Sequence, residues 1–207
     1  MIYLVDNTID GQGASPGEIR SALERLRPDT EIVVERFDEV SNDRVRELNP
    51  THIFLSGQSH PWEMYSEESL VGVYDVIRNP IRPILGVCGG HQQMAIALGV
   101  PVGLMERIGP GEGYEGAKRE RGFLPIDTES SLLFQYLPQN LTVWHSHCDE
   151  VKELPAGFRL TASNETCRIQ AMEHQSEPLY GVQFHPELFD EAHPDGKTIL
   201  ENFLNIS

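Results

Sequence analysis

The first half of the chain alternates short apolar runs with segments whose apolar residues recur at helical spacing. The apolar runs "IYLVD", "EIVVERF", "THIFLSG" and "RPILGVC" predict four strands. Between them, "SPGEIRSALERLRP", "DRVREL" and "EESLVGVYDVIRN" predict helices, and the first of these carries Ile19, Leu23 and Leu26 on one face. This order predicts an α/β fold with a mostly parallel central sheet and helices on both faces.

After Gly99 the pattern changes to short strand-like pieces separated by glycine and proline turns. The pieces "PVGLM", "LTVWHS", "FRLTASN", "RIQAMEH" and "PLYGVQF" predict extra, antiparallel strands in the second half. The segment "IGPGEGYEGAKRERG" has the composition of a mobile loop. The final "DGKTILENFLNIS" predicts an amphipathic helix.

Length and charge limit the possible functions. A chain of 207 residues suits one α/β domain, so residues 1–207 are predicted to form a single domain. The net charge of −16 argues against non-specific binding of a nucleic-acid backbone. No apolar run approaches the roughly 20 residues that span a bilayer, and the first residues do not resemble a signal peptide. The sequence therefore predicts a cytoplasmic protein with no nucleic-acid or membrane partner.

The cysteines and histidines do not form a metal-binding pattern. The chain has three cysteines, with no Cys-x-x-Cys and no His-Glu-x-x-His motif. Such an odd, sparse set also argues against a disulfide framework. We therefore predict no metal and no cofactor, and we interpret Cys148 and Cys167 as structural.

One cysteine stands at the corner between a predicted strand and a predicted helix. In "GVCGGHQQMAIALG", Cys88 follows an apolar strand and is flanked by glycines, as in a nucleophile elbow. The helix N-terminus would favour the thiolate, and the Gly89 amide could stabilise an oxyanion. This local pattern alone fits a buried structural cysteine equally well. His91, on the helix that follows, is a further candidate for lining a pocket.

A base for this cysteine is available in "YGVQFHPEL". Residues two apart in an extended segment face the same side, so Glu187 can accept a hydrogen bond from His185. A His-x-Glu pair alone is common on surfaces, but together with Cys88 it predicts a Cys-His-Glu triad. The loops after Leu55 and Val87 are expected to face one crevice, because both follow the carboxyl ends of parallel strands.

These motifs resemble the class I (triad type) glutamine amidotransferase family. "GVCGGHQ" followed by "GVQFHPE" carries the resemblance, and "VDN", "IFLSG", "VWHSHCDEV" and "GKTILENFL" also fall where the family has counterparts. The resemblance covers nearly the whole chain and implies a flavodoxin-like fold. "WHSHCDEV" is similar to the glutaminase portion of GMP synthases. The histidine in "GVCGGHQ" is similar to the glutaminase subunits of anthranilate and aminodeoxychorismate synthases, so both branches stay open.

The resemblance implies a reaction. Cys88 would attack the side-chain amide of L-glutamine, and His185 would take the thiol proton and later give it to the departing ammonia. Glu187 would orient His185. Water would then release glutamate from a thioester, and the ammonia would pass to a separate synthase partner.

The resemblance also implies substrate contacts. Gly57 and Gln92 match residues that contact substrate in the family. Ser146 and His147 match the segment whose backbone holds the α-amino and α-carboxylate groups.

The predicted oxyanion hole, formed by the amides of Gln58 and Gly89, departs from the family pattern. The family usually has Ser-Gly-Gly-Pro where this chain has Ser56-Gly57-Gln58-Ser59. A glutamine there costs about 1 kcal/mol if its φ is positive, so the hole is expected to need rearrangement, as when a partner docks.

Two other functions remain open at this point. The same triad could serve a hydrolase of γ-glutamyl compounds that has no ammonia acceptor. The fold could also act as a non-catalytic regulatory module, but the presence of Cys88, His185 and Glu187 counts against that interpretation.

Overall fold

A computed structural model of the chain describes residues 1–11 and 13–207. The strands are β1 (Ile2–Asp6), β2 (Ile32–Arg36), β3 (His52–Leu55), β4 (Ile84–Val87), β5 (Val102–Leu104), β6 (Glu120–Thr128), β7 (Asn140–His147), β8 (Asp149–Val151), β9 (Phe158–Ser163), β10 (Ala171–His174) and β11 (Leu179–Val182). The α-helices are α1 (Ala14–Leu26), α2 (Asn42–Leu48), α3 (Glu67–Arg78), α4 (Gly89–Ala97) and α5 (Asp195–Phe203). Short 3-10 turns cover Phe37–Glu39, Trp62–Met64, Leu132–Phe134 and Pro186–Leu188.

Nine strands form one sheet in the order β2-β1-β3-β4-β11-β10-β9-β6-β7. The pairs from β2 to β11 are parallel, and those from β11 to β7 are antiparallel. β5 and β8 form a separate antiparallel pair. The predicted α/β fold, with a parallel sheet extended by antiparallel strands, is confirmed.

Helices cover both faces of the sheet. Along β1, Ile2 and Leu4 face the core cluster that contains α1 and α5, whereas Tyr3 and Val5 face the cluster that contains α2, α3 and α4. This alternation follows from the two-residue period of a strand. None of the helices in the described residues has the length and apolar character needed to cross a bilayer.

Strand β6 was absent from the sequence prediction, which placed its first residues in a glycine-rich loop. Its centre carries Pro125, which cannot donate a hydrogen bond to a neighbouring strand. The structure accommodates this proline because β6 pairs with β9 only at Asp127 and Thr128. On one side of β6, Pro125 lies opposite Thr142 of β7. On the side that faces β9, no strand pairs with β6 at Pro125. The three-residue strand β8 was also missed, because it is too short for an alternating pattern to be recognised.

The carboxyl ends of four adjacent parallel strands define the crevice. β1, β3, β4 and β11 are neighbours, and the chain leaves them at residues 7, 56, 88 and 183. The prediction that the loops after Leu55 and Val87 face one crevice is confirmed, since Gln58 and Cys88 line the same cavity.

Candidate active site

Cys88 occupies a strained turn between β4 and α4. Its φ is 50° and its ψ is −103°, and it is one of three non-glycine residues with positive φ in the described part of the chain. Such a conformation costs on the order of 1–3 kcal/mol. The turn closes because Gly90 has no side chain: a Cβ there would lie 2.2 Å from the carbonyl oxygen of Leu55. The backbone therefore has the form of a nucleophile elbow, with the thiol at the N-terminus of α4.

His185 and Glu187 form the predicted hydrogen-bonded pair. His185 Nδ1 lies 2.8 Å from Glu187 Oε1, and Glu187 is only 1% exposed. Burial lowers the pKa of His185, but the Glu187 carboxylate and a hydrogen bond with the Cys88 sulfur outweigh burial, so this pKa lies well above its usual value. With Nδ1 facing Glu187, the other ring nitrogen, Nε2, is the one available to the thiol.

The two predicted oxyanion donors lie next to each other. A Cβ on Gly89 would lie 2.4 Å from the backbone nitrogen of Gln58, so only glycine fits at this contact. The strain expected at Gln58 is absent. The non-glycine residues with positive φ in the described ranges are Asn49, Cys88 and Tyr136. The cost that applies only to a positive φ therefore does not arise at Gln58 in this structure, and the rearrangement of the hole when a partner docks stays a prediction.

A cavity of about 230 Å³ opens beside Cys88. Its lining residues are Gln58, Ser59, His60, Pro61, Cys88, Gln92, Tyr114, Arg119, Ser146, His147, Cys148 and Asp149. The predicted residues Gln58, Gln92, Ser146 and His147 are thus brought together with Cys88. Gly57 is not among the lining residues, and its N–H donates instead to Ser15 Oγ at 2.9 Å.

The structure also shows where the other two cysteines and His91 lie. Cys148, predicted to be structural, lines the cavity, but burial and then Asp149 raise the pKa of its thiol and so disfavour the thiolate. Cys167 is fully buried, and burial also raises the pKa of its thiol. His91 does not line the cavity: it is completely buried, and burial lowers its pKa to about 3.

A buried carboxylate missed by sequence reasoning supports the cavity from behind. Glu120 faces His147 across the β6–β7 pair, and its Oε2 lies 2.7 Å from His147 Nε2 and 3.1 Å from His145 Nδ1. Its oxygens also accept hydrogen bonds from Asn164 at 2.7 Å and Gln170 at 2.6 Å. Burial alone would raise the pKa of Glu120, but the two imidazoles outweigh it and hold this pKa far below its usual value.

This network holds the His147 ring at both nitrogens. Its Nδ1 lies 3.0 Å from the carbonyl oxygen of Asp149, and its Nε2 lies 2.7 Å from Glu120 Oε2. Burial lowers the pKa of the neighbouring His145. Glu120 opposes this effect only in part, so His145 stays neutral at pH 7.

Glu120, His145 and His147 are also the group whose ligand atoms could hold a metal ion, all lying within 4.8 Å of one another in the described residues. The hydrogen bonds argue for another interpretation. Two amide groups already donate to Glu120, and His147 Nε2, the nitrogen that a metal would need, is already in hydrogen-bond contact with Glu120 Oε2 at 2.7 Å. The cluster fits a buried carboxylate held by hydrogen bonds.

We expect Glu120→Gln to lower the free energy of unfolding at pH 7 by about 3 kcal/mol, because it removes a buried carboxylate charge and replaces one of its two acceptor oxygens with an NH2 group, which faces donors and cannot accept from them. The folded-state pKa of Glu120 is lowered from an ordinary value of 4.5. Its contribution is therefore complete above about pH 4.5 and is lost as the pH falls below that value. Urea unfolding at pH 7 and pH 3 measures the difference, which should shrink at pH 3. The exposed Glu153→Gln serves as control, with a change of about 0.5 kcal/mol or less. Equal effects of Glu120→Gln at both pH values would contradict an ionised Glu120.

The glycine-rich segment predicted to be mobile is organised by hydrogen bonds. The Arg107 guanidinium donates to the carbonyl oxygens of Gly111, Gly113 and Glu115. The Tyr114 hydroxyl donates to Asp149 Oδ2 at 2.6 Å. The segment therefore forms part of the cavity wall, next to residues that follow β7.

Comparison with known proteins identifies the family of this chain. The sequence profile of the family described as "Glutamine amidotransferase class-I" matches residues 15–206. The chain belongs to the class I glutamine amidotransferases, a family of enzymes.

Its relatives include the glutamine-hydrolysing GMP synthase subunit of Pyrococcus abyssi, which is 39% identical over 163 residues and aligns over 78% of each chain. The same subunit of Thermococcus kodakarensis is 38% identical over 165 residues, or 79% of each chain. These names favour the GMP synthase branch of the two that the sequence left open.

Solved structures agree on the fold. The crystal structure of a Thermoplasma acidophilum protein assigned as a subunit of GMP synthase superimposes with a TM-score of 0.77 at 30% identity, covering 98% of this chain and 91% of that one. A glutamine amidotransferase from Thermotoga maritima gives a TM-score of 0.74, covering 99% and 98% of the two chains. The latter is 16% identical, so it supports the fold alone.

Proposed function

We propose that this chain hydrolyses L-glutamine to glutamate and ammonia and delivers the ammonia to a separate synthase subunit in GMP synthesis. The observation that carries the proposal is the strained backbone of Cys88, with φ 50°, together with the His185–Glu187 pair beside it, in which Nδ1 and Oε1 lie 2.8 Å apart. The names of the GMP synthase relatives, which align over about four-fifths of their length, support the reaction and the existence of a second subunit.

The first half of the reaction forms a thioester. His185 Nε2 takes the proton of the Cys88 thiol, and the thiolate attacks the side-chain amide carbon of glutamine. A carbon–sulfur bond forms, and the carbonyl electron pair moves onto oxygen. The backbone N–H groups of Gly89 and Gln58 receive this oxyanion. The carbon–nitrogen bond then breaks as the His185 imidazolium gives its proton to the nitrogen, and ammonia leaves.

The second half releases glutamate. Water gives a proton to His185 and attacks the γ-glutamyl thioester. The carbon–sulfur bond breaks, and the sulfur recovers its proton from His185. Glu187 stabilises the imidazolium in both halves and keeps Nε2 directed at the sulfur, as its 2.8 Å contact with Nδ1 implies.

The cavity suits the amino-acid end of glutamine. Its volume of about 230 Å³ accommodates one small molecule. The Arg119 guanidinium supplies positive charge for the α-carboxylate. Ser146 and Asp149 lie on the same wall and supply oxygen acceptors for the α-ammonium group.

Steady-state glutamate formation tests the proposal. The isolated chain should hydrolyse glutamine slowly. Adding a synthase subunit with its substrates should raise the rate at least about tenfold, which requires only ~1.4 kcal/mol of bias toward the active arrangement. The Tyr114–Asp149 contact at the cavity wall is one feature through which a docked subunit could act. Fast turnover of γ-glutamyl amides, slow turnover of glutamine and no response to the synthase would favour the γ-glutamyl hydrolase alternative.

A further inference from the structure

A line of buried side chains connects Trp62 to the sulfur of Cys88. Trp62 Nε1 lies 3.0 Å from Gln92 Oε1, and Gln92 Nε2 lies 3.1 Å from Gln183 Oε1. Gln183 Nε2 lies 3.7 Å from Cys88 Sγ. Gln183 is completely buried, and Gln92 is 1% exposed. A 3-10 turn, helix α4 and the segment after β11 thus contribute to one chain of hydrogen bonds that ends on the thiol.

The direction of every amide in this line follows from its first member. An indole N–H can only donate, so the oxygen of Gln92, not its nitrogen, must face Trp62. The nitrogen of Gln92 then faces Gln183 and must meet the oxygen of that amide. This leaves the nitrogen of Gln183 directed at Cys88 Sγ.

The surroundings of Gln92 agree with this direction. Its Oε1 also accepts a hydrogen bond from Gln58 Nε2 at 3.0 Å. Its Nε2 also lies 3.3 Å from the carbonyl oxygen of Asp149, which can only accept. Donors therefore surround the oxygen and acceptors surround the nitrogen, so the reverse orientation would break contacts at both ends.

We infer that Gln183 is a catalytic residue whose side-chain N–H donates to Cys88 Sγ and stabilises the thiolate, and that Trp62 is a positioning residue that sets the direction of the intervening amides. The inference deepens the proposed function, on which it rests for the role of Cys88 as nucleophile. An N–H donor favours an anionic acceptor over a neutral one, because hydrogen bonds to charged groups are stronger.

Several charged or titratable groups also lie near Cys88 and affect the stability of its thiolate. His185, with Glu187 behind it, is the hydrogen-bonded base. Cys148 and its neighbours Arg119, Asp149 and His147 line the same cavity. Gln183 differs from all of these because its amide does not titrate, so its contribution to the thiolate is the same at every pH.

The pH dependence of Cys88 alkylation by iodoacetamide tests the inference. The rate is followed by mass spectrometry on the peptide that carries Cys88, which separates it from Cys148 and Cys167. Gln183→Met keeps the approximate size of the side chain but removes the donor. We expect the midpoint of its alkylation profile to lie about one pH unit higher than in the wild type, which is about a tenfold loss of thiolate at pH values well below the midpoint.

Two further variants separate charge from hydrogen bonding. Gln183→Glu retains an oxygen for Gln92 but replaces the donor with a negative charge, so its midpoint should shift at least as far as that of Gln183→Met. Trp62→Phe removes the indole donor while leaving Gln58 in contact with Gln92, so it should shift the midpoint in the same direction by a smaller amount. Because Trp62→Phe leaves the side chains next to the thiol intact, it keeps the test decisive if a Gln183 variant does not fold.

Gln93→Met is the matched control. Gln93 is a completely buried glutamine on the same helix as Gln92, but its side-chain oxygen accepts from Asn7 at 3.0 Å. Its replacement also removes a buried amide and should leave the alkylation midpoint unchanged. Midpoints of Gln183→Met and Trp62→Phe equal to that of the wild type would overturn the inference. This readout needs no glutamine, so its failure is distinguishable from a failure of the proposed function, which the glutaminase assay detects.

Discussion

Replacing His185 with alanine is expected to lower kcat for glutamine hydrolysis by about 10³–10⁴-fold. General acid–base catalysis alone is worth roughly 10²–10⁴-fold, and the thiolate also loses the imidazolium that stabilises it. The expectation rests on the His185 ring, whose Nδ1 is held by Glu187 at 2.8 Å and whose other nitrogen is the one that faces the Cys88 sulfur. The change should appear in kcat at saturating glutamine, since His185 does not line the cavity for the α-amino and α-carboxylate groups.

The chain offers a matched control for this variant. His193 forms a similar ring–carboxylate pair, with Nδ1 at 2.9 Å from Asp190 Oδ1, but it lies on Phe123 and not at the cavity. His193→Ala should therefore leave kcat within about twofold of the wild type. A His185→Ala variant that kept most of the wild-type rate, or a His193→Ala variant that lost it, would contradict the proposed role of His185.

The pKa of His185 gives the wild-type enzyme a predictable pH profile. Because the folded-state pKa is raised above its usual value, the His185 imidazolium, which we propose protonates ammonia, persists through neutral pH. We expect kcat to be maintained there and to fall as the pH rises through this raised pKa. The stability that the raised pKa of His185 contributes has the same sign: it is fully present below the ordinary pKa of histidine, and it is lost as the pH rises through the raised pKa.

Replacing Cys88 with alanine is expected to abolish glutamine hydrolysis, because no thioester can form. Cys148 lines the same cavity, but burial and Asp149 raise the pKa of its thiol, so it cannot take over the role at neutral pH. A glutamine-mimicking diazo-ketone should label one cysteine of the wild-type protein, and Cys88→Ala should not be labelled. Cys148→Ala, the matched control in the same cavity, should retain both labelling and most of its turnover. Label on the peptide that carries Cys148 or Cys167 would contradict the assignment of Cys88 as the nucleophile.

The sequence predicted the parts of the site that are local along the chain. The strand–cysteine–glycine–helix pattern predicted the elbow at Cys88, because Gly86, Gly89 and Gly90 lie where backbone segments approach too closely for a side chain. The spacing of His185 and Glu187 predicted their contact, which depends on only three consecutive residues. These features need no knowledge of how distant segments pair.

The parts that the sequence did not predict depend on the register of distant segments. Glu120 supports His147 because β6 pairs with β7 at that point, and the sequence prediction placed Glu120 in a glycine-rich loop. The line from Trp62 to Cys88 requires side chains that follow three different strands. The conformation of Gln58 could not be predicted from its residue type, since a glutamine at a position where the family usually has glycine does not by itself specify φ. Only the backbone shows that the expected strain is absent.

The central claim is that glutamine is hydrolysed through a γ-glutamyl thioester on Cys88. Mixing the protein with glutamine, quenching in acid during steady-state turnover and mapping the digested chain by mass spectrometry tests it directly. We predict one γ-glutamyl group, carried on the peptide that contains Cys88 and absent when glutamate replaces glutamine. Two results would contradict the claim. One is turnover of glutamine with no adduct on the wild-type protein and an undiminished rate in Cys88→Ala. The other is an adduct on a residue other than Cys88.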